Sequence, residues 1–72
     1  MTDFPKRLKE LRLSKNISQK KVAETFNIAD RQYRRYENGE VDAPLTFATS
    51  IADYFNVSLD YLVGRSDDPT RH

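Results

Sequence analysis

Apolar residues in this chain recur at three- and four-residue spacing, in five short runs. Phe4, Leu8 and Leu11 share one helical face, and Val22, Ala23 and Phe26 share another. Tyr33 and Tyr36 stand one turn apart. Leu45, Ala48, Ile51, Ala52 and Phe55 hold the spacing over a longer run, and Leu59, Leu62 and Val63 make the last. This is the period of amphipathic helices, and no segment fits a strand. The pattern predicts an all-α fold of five helices in 72 residues, enough for one domain.

The residues between the runs act as starts and stops. Asp3 is an N-cap for the first helix, and Pro5 suits its first turn, where a missing N–H has no partner to lose. That helix fades at Ser14 to Asn16, ahead of Ile17. Ser18 caps a second helix over 19–26. Asn27 tolerates the left-handed backbone of a sharp turn, and Ile28 re-enters the core. A third helix runs over 30–38 and stops at Gly39. Residues 40–43 form a loop, Pro44 opens the fourth helix and Asn56 stops it. Ser58 caps the fifth, which ends at Gly64. A domain of 1–64 is therefore followed by a polar tail or linker, 65–72, with Pro69 and no apolar anchor, expected to be mobile.

Composition removes whole classes of function. Without cysteine there is no disulfide and no thiolate metal site, and a reducing cytoplasm is compatible. The sole histidine is His72, so neither a metal cluster nor histidine-based catalysis is available. Gly39 and Gly64 are the only glycines, too few for a phosphate-cradling loop. The adjacent carboxylates Asp67 and Asp68 sit in the tail with nothing to enclose a substrate. The chain is not an enzyme and implies no cofactor. Its start carries charge and no long apolar run, so a signal peptide and a membrane span are not expected.

Charge is divided along the chain. Residues 1–35 carry ten Lys/Arg against four Asp/Glu, a net +6, and residues 36–72 carry two against seven, a net −5. The basic half is a candidate surface for a polyanion. It also contains two helices joined by a turn of about three residues, the layout of a helix-turn-helix. Ala23 is small where those helices approach, Asn27 suits the turn, and Ile28 plugs the gap. With Tyr33 and Tyr36 facing the core, Arg31 and Arg35 point outward, Arg34 beside them, Asp30 nearer the edge and Gln32 on the other flank. Arginine matches guanine O6 and N7 with two hydrogen bonds, and Gln32 can read adenine or hold a phosphate.

Five ordered blocks are similar to one family. They are Arg7-Leu8-Lys9-Glu10-Leu11-Arg12, Ile17-Ser18-Gln19-Lys20-Lys21-Val22-Ala23, Tyr36-Glu37-Asn38-Gly39, Ile51-Ala52, and Val57-Ser58-Leu59-Asp60-Tyr61-Leu62-Val63-Gly64. From Leu8 to Gly64 the chain resembles the lambda-repressor-like, xenobiotic-response-element class of bacterial and phage regulators. The resemblance implies a five-helix fold whose third helix enters the major groove while the second abuts the phosphates. It implies base contacts from Asp30, Arg31 and Arg35, with Arg34 and Gln32 as further candidates. It implies a phosphate contact from Gln19, with Ser18, Lys20 and Asn38 beside it, and a structural ion pair between Arg12 and Glu37. The implied partner is double-stranded DNA, a palindromic operator bound by a homodimer, in the cytoplasm.

Several residues depart from the family pattern. Ala29 stands at the N-cap of the third helix, Lys21 replaces the capping-box acid, and Tyr33 replaces a branched aliphatic. The Tyr33 hydroxyl therefore needs a partner or water. Asp30 has two readings: it pairs with Arg34 one turn on, which is favoured, or accepts from cytosine N4. Lys6, Lys15, Lys20 and Lys21 supply diffuse attraction more than fixed contacts. Tyr54 and Tyr61 cap the core, whereas Phe47 lies off the apolar stripe and is a candidate exposed dimer contact. Aromatics on an acidic half also fit a second function, an antitoxin or adaptor-type protein-interaction module on the same fold.

Overall fold

Left-handed residues cut the chain into its helices. In a computed structural model that describes residues 3–71, Asn16, Asn27 and Asn56 have φ of 56°, 56° and 57°, and Gly39 and Gly64 have φ of 76° and 86°. They follow α1 (Phe4–Ser14), α2 (Gln19–Thr25), α3 (Asp30–Asn38), α4 (Leu45–Phe55) and α5 (Leu59–Leu62). The residue after each break donates its N–H to the carbonyl five residues back: Ile17 to Arg12, Ile28 to Ala23, Glu40 to Arg35, Val57 to Ala52 and Arg65 to Asp60. Orphan carbonyls at all five helix ends are thereby satisfied. Ile17, Ile28 and Val57 turn back against the core at the same step.

Helix starts are less uniform. The hydroxyls of Ser18 and Ser58 accept from the backbone N–H of Lys21 and Tyr61, both at 3.0 Å. Asp3 occupies the N-cap position of α1, yet its side chain makes no capping bond. The carboxylate packs against Gly64, where a Cβ would lie 2.7 Å from Asp3 Oδ2. Ala29 and Pro44 precede α3 and α4 without a side-chain cap.

Leu8, Val22, Ala23, Tyr33, Ala48, Ile51 and Leu62 are fully buried and form the centre of the core. α3 packs on α1 and α2, and α5 packs on α1 and α4. Two expectations for α4 are corrected. Leu45 is 68 % exposed, because it opens the helix beyond the core edge. Phe47 is half-buried rather than exposed, its ring 4.7 Å from Tyr36 and 5.6 Å from Phe26. Tyr54 meets Phe26 on the same side at 5.4 Å. Phe47 and Tyr54 are thus the α4 residues turned toward Phe26 and Tyr36, while Ala48, Ile51, Ala52 and Phe55 form the buried core face.

The segment after Gly64 has polar anchors where apolar ones were missing. Arg7 reaches from α1 to the carbonyls of Tyr61 and Ser66 and to the carboxylate of Asp67. Its guanidinium also lies 4.2 Å from the centre of the Tyr61 ring. Ser58 N–H donates to the Pro69 carbonyl at 3.0 Å, and Arg71 pairs with Asp53 at 2.7 Å. His72 lies outside the described residues. Among the described residues no helix is long and apolar enough to cross a membrane, and no group of acidic or histidine side chains is placed to hold a metal ion.

Candidate nucleic-acid interface

α2 and α3 meet through Val22 and Ala23 on one side and Tyr33 and Tyr36 on the other, all buried. Ala23 leaves room for the close approach, and the Asn27 turn, with Ile28 N–H bonded to the Ala23 carbonyl at 3.0 Å, sets the direction of α3. α3 spans nine residues, about 13 Å at 1.5 Å per residue, short enough to lie within a groove.

Its three buried residues, Tyr33, Tyr36 and Glu37, define the inward side. Arg31, Arg34 and Asn38 are exposed, whereas Arg35, Gln32 and Asp30 are half-buried. On the helical wheel the three exposed residues centre the outward side near Asn38, with Arg35 toward one edge. The favoured pairing of Asp30 with Arg34 is absent: among the described residues Asp30 makes no ion pair. Its place at the uncapped first turn sets it against the partial positive charge of the helix start instead.

The chain has seven arginines. Arg7, Arg12, Arg65 and Arg71 each face a carboxylate within 4.0 Å. Among the described residues, Arg31, Arg34 and Arg35 have no ion pair or side-chain hydrogen bond, and all three lie on α3. The candidate interface is thus a short helix whose outer side carries unneutralised guanidinium groups.

Behind it lies a buried polar network. Arg12 donates through Nη2 to Glu37 Oε1 at 2.9 Å and through Nε to Oε2 at 3.0 Å. Its Nη1 donates to the Ile17 carbonyl at 2.9 Å, which ties the α1–α2 turn to the same group. The Arg12 side chain is 10 % exposed and that of Glu37 1 %. Burial alone would push the Glu37 carboxyl up, but the hydrogen bonds and charge of Arg12, with the Tyr33 hydroxyl close by, outweigh it, so its pKa lies below the ordinary value. The hydrogen bonds to Glu37 raise Arg12, against the opposing effect of burial. The Tyr33 hydroxyl is buried against this pair, and burial followed by the Glu37 carboxylate keeps it protonated far above the usual phenol range. It completes no well-formed hydrogen bond, which leaves the partner its substitution calls for unsupplied.

The candidate phosphate contacts lie on either side of this network. Ser18 spends a lone pair on its cap and keeps its hydroxyl proton. Lys20 is exposed at the start of α2. Gln19 is half-buried, and its Nε2 donates to Glu37 Oε1 at 3.3 Å. Asn38 bonds Glu40 at 3.3 Å and lines an open cleft of about 450 Å³ with Lys6, between the start of α1 and the loop after α3. Two features escaped the sequence reading. Gln19 carried no signal of its bond to Glu37. Arg7, read as a basic residue and as part of the first family block, is committed to α5 and the tail, and no local pattern marks those contacts.

Residues 8–62 match the family model described as helix-turn-helix. Three proteins of Bacillus subtilis (strain 168) are similar. The uncharacterized HTH-type transcriptional regulator YobD is 34 % identical over 66 residues, 92 % of this chain and 59 % of that protein. The HTH-type transcriptional regulator ImmR is 36 % identical over 62 residues, 86 % of this chain and 49 % of its own length. The SPbeta prophage-derived uncharacterized HTH-type transcriptional regulator YonR is 35 % identical over 60 residues, 83 % of this chain and 56 % of its own. The chain thus spans about half the length of these curated relatives. No solved structure matches it.

Proposed function

Because the chain belongs to the lambda-repressor-like helix-turn-helix family, we propose that it is a sequence-specific DNA-binding transcriptional regulator, a repressor, with α3 in the major groove. The observation that carries this reading is the set of three unpaired arginines on the outer side of α3. Arg31 and Arg35 read guanine edges, with Arg34, Gln32 and Asp30 at the flanks. Ser18, Gln19, Lys20 and Asn38 hold phosphates and set the register. One helix covers only a few base pairs, so the working form is a homodimer on a palindrome with half-site centres about 34 Å apart. Action on DNA places it in the cytoplasm of a bacterium or a phage-infected cell.

The alternative, an antitoxin or adaptor-type module, drew on the acidic half and its aromatics, with Phe47 or Tyr54 as the partner contact. Phe47 is committed to Tyr36 and Phe26, whereas Tyr54 also meets Phe26 yet stays 43 % exposed, so of the two only Tyr54 offers that reading a surface.

The test is selection of bound duplexes from a random pool at near-physiological salt, with wild type and Arg35→Ala in parallel. We expect an enriched palindrome for wild type, relaxed at one position per half-site by the substitution, at a cost of about 1–3 kcal/mol in discrimination. Binding that ignores sequence and vanishes at that salt would refute the reading.

A further inference from the structure

We propose that Glu37 is a positioning residue for phosphate binding: its buried carboxylate orients the amide of Gln19 and so couples the backbone contact of α2 to the recognition helix. This rests on the DNA-binding function proposed above. A primary amide has two unlike edges. One edge carries two N–H donors and the other a carbonyl oxygen, and a phosphate accepts only. A freely rotating Gln19 would present either edge. Glu37 is ionised, with its carboxyl held below the ordinary range, so it too only accepts. The amide edge that meets it is therefore the nitrogen, at 3.3 Å from Oε1. One N–H is spent on Glu37, and the second remains on the same edge as a donor.

Glu37 can do this because Arg12 holds it in turn. Both its oxygens accept from Arg12, at 2.9 Å and 3.0 Å, and its side chain is 1 % exposed, so the carboxylate has a fixed place. It belongs to α3, whereas Gln19 opens α2 and Arg12 ends α1. One carboxylate thus joins all three helices. A phosphate pulling on Gln19 acts through it on the end of α3, and a displacement of α3 releases the Gln19 amide. Gln19 touches the phosphate; Glu37 acts through Gln19.

A double-mutant cycle separates this from a purely structural role. The probe is a labelled mixed-sequence duplex at low salt, where phosphate contacts dominate binding. Gln19→Ala is made in wild type and in Arg12→Met/Glu37→Met, which fills the pair's space with apolar side chains. We expect Gln19→Ala to weaken binding about tenfold or more in wild type, the worth of one hydrogen bond to a charged group. In the double-methionine background the same change should cost less than about twofold, because the amide is no longer oriented. Equal losses in both backgrounds would overturn the proposal and leave the DNA-binding reading intact. No duplex binding by the wild type would overturn both.

A second measurement needs no folded double variant. The two Gln19 side-chain amide protons are assigned by NMR from their disappearance in Gln19→Ala, then followed as duplex is added. We expect one proton to keep its position, held by Glu37, and the other to move downfield. Both protons moving together, or neither moving, would overturn the orientation argument.

Discussion

Replacing Arg12 with methionine leaves Glu37 as a carboxylate whose side chain is 1 % exposed, with no cation beside it. Three N–H contacts to the carboxylate are lost, as is the bond to the Ile17 carbonyl. Of the well-formed donors to Glu37, only the longer one from Gln19, at 3.3 Å, remains. Removing one partner of a buried pair costs about 3–5 kcal/mol. A domain of 72 residues has in all about 4–11 kcal/mol, at the usual yield per residue. At about 4–8 °C per kcal/mol for a domain of this size, the melting temperature should fall by about 12–40 °C. Arg12→Met/Glu37→Met removes both charges and should recover most of that loss, since a buried pair gains little net energy once desolvation is counted. Circular dichroism melts and urea titrations of wild type and the two variants measure both quantities. A loss below about 1 kcal/mol in Arg12→Met would mean that the pair behaves as an exposed bridge. A double variant no more stable than the single would refute the desolvation argument. The same pair sets an acid limit. Because the folded carboxyl of Glu37 titrates below its unfolded value of about 4.3, its contribution is complete above that pH and is lost as pH falls through the folded value. Wild type should lose stability with acid more steeply than the double-methionine variant in that window.

Two other substitutions test how the core and the chain ends are held. Tyr33→Phe deletes a buried hydroxyl that completes no hydrogen bond, so it should leave thermal stability unchanged or raise it by about 1 kcal/mol; a loss above about 2 kcal/mol would show that the hydroxyl is a working donor. Arg7→Met should destabilise by about 1–2 kcal/mol through loss of the Tyr61 and Ser66 carbonyl contacts, whereas Asp67→Asn should cost less than about 0.5 kcal/mol because that carboxylate is fully exposed; equal costs in urea titrations would mean that the exposed bridge, not the carbonyls, anchors α1 to α5.

Helix ends were legible because their causes are local. Asn27, Gly39, Asn56 and Gly64 each occupy the left-handed conformation that marks them as stops, and Ser18 and Ser58 cap with their own hydroxyls. Asn16, read only as part of a fading helix, does the same at the end of α1. The inward face of α4 was less legible because it is decided by distant residues. Phe47 is drawn in by Phe26 and Tyr36, neither of them near it in sequence, while Leu45 fits the helical spacing and still falls beyond the core. Cations raise the same difficulty. Arg7 and Arg35 read alike as basic residues, but only the folded chain brings Tyr61, Ser66 and Asp67 to Arg7.

The charge of the outer α3 face follows from where its acids are sent. On an isolated helix Arg34 would have two carboxylate neighbours, Asp30 four residues before and Glu37 three after. In the fold neither neutralises it. Glu37 turns inward and is taken by Arg12 from α1, and Asp30 stays at the first turn without an ion pair. A cation from another helix therefore withdraws the carboxylate that would have competed with an external anion for Arg34. In the proposed binding the Arg12–Glu37 pair therefore has two effects: it fixes the end of α3 from behind, and it leaves the guanidinium groups in front unneutralised. The double-methionine variant keeps the second effect and gives up the first, since no carboxylate remains at position 37. Its salt dependence of DNA binding should match that of wild type, while its sequence discrimination should not.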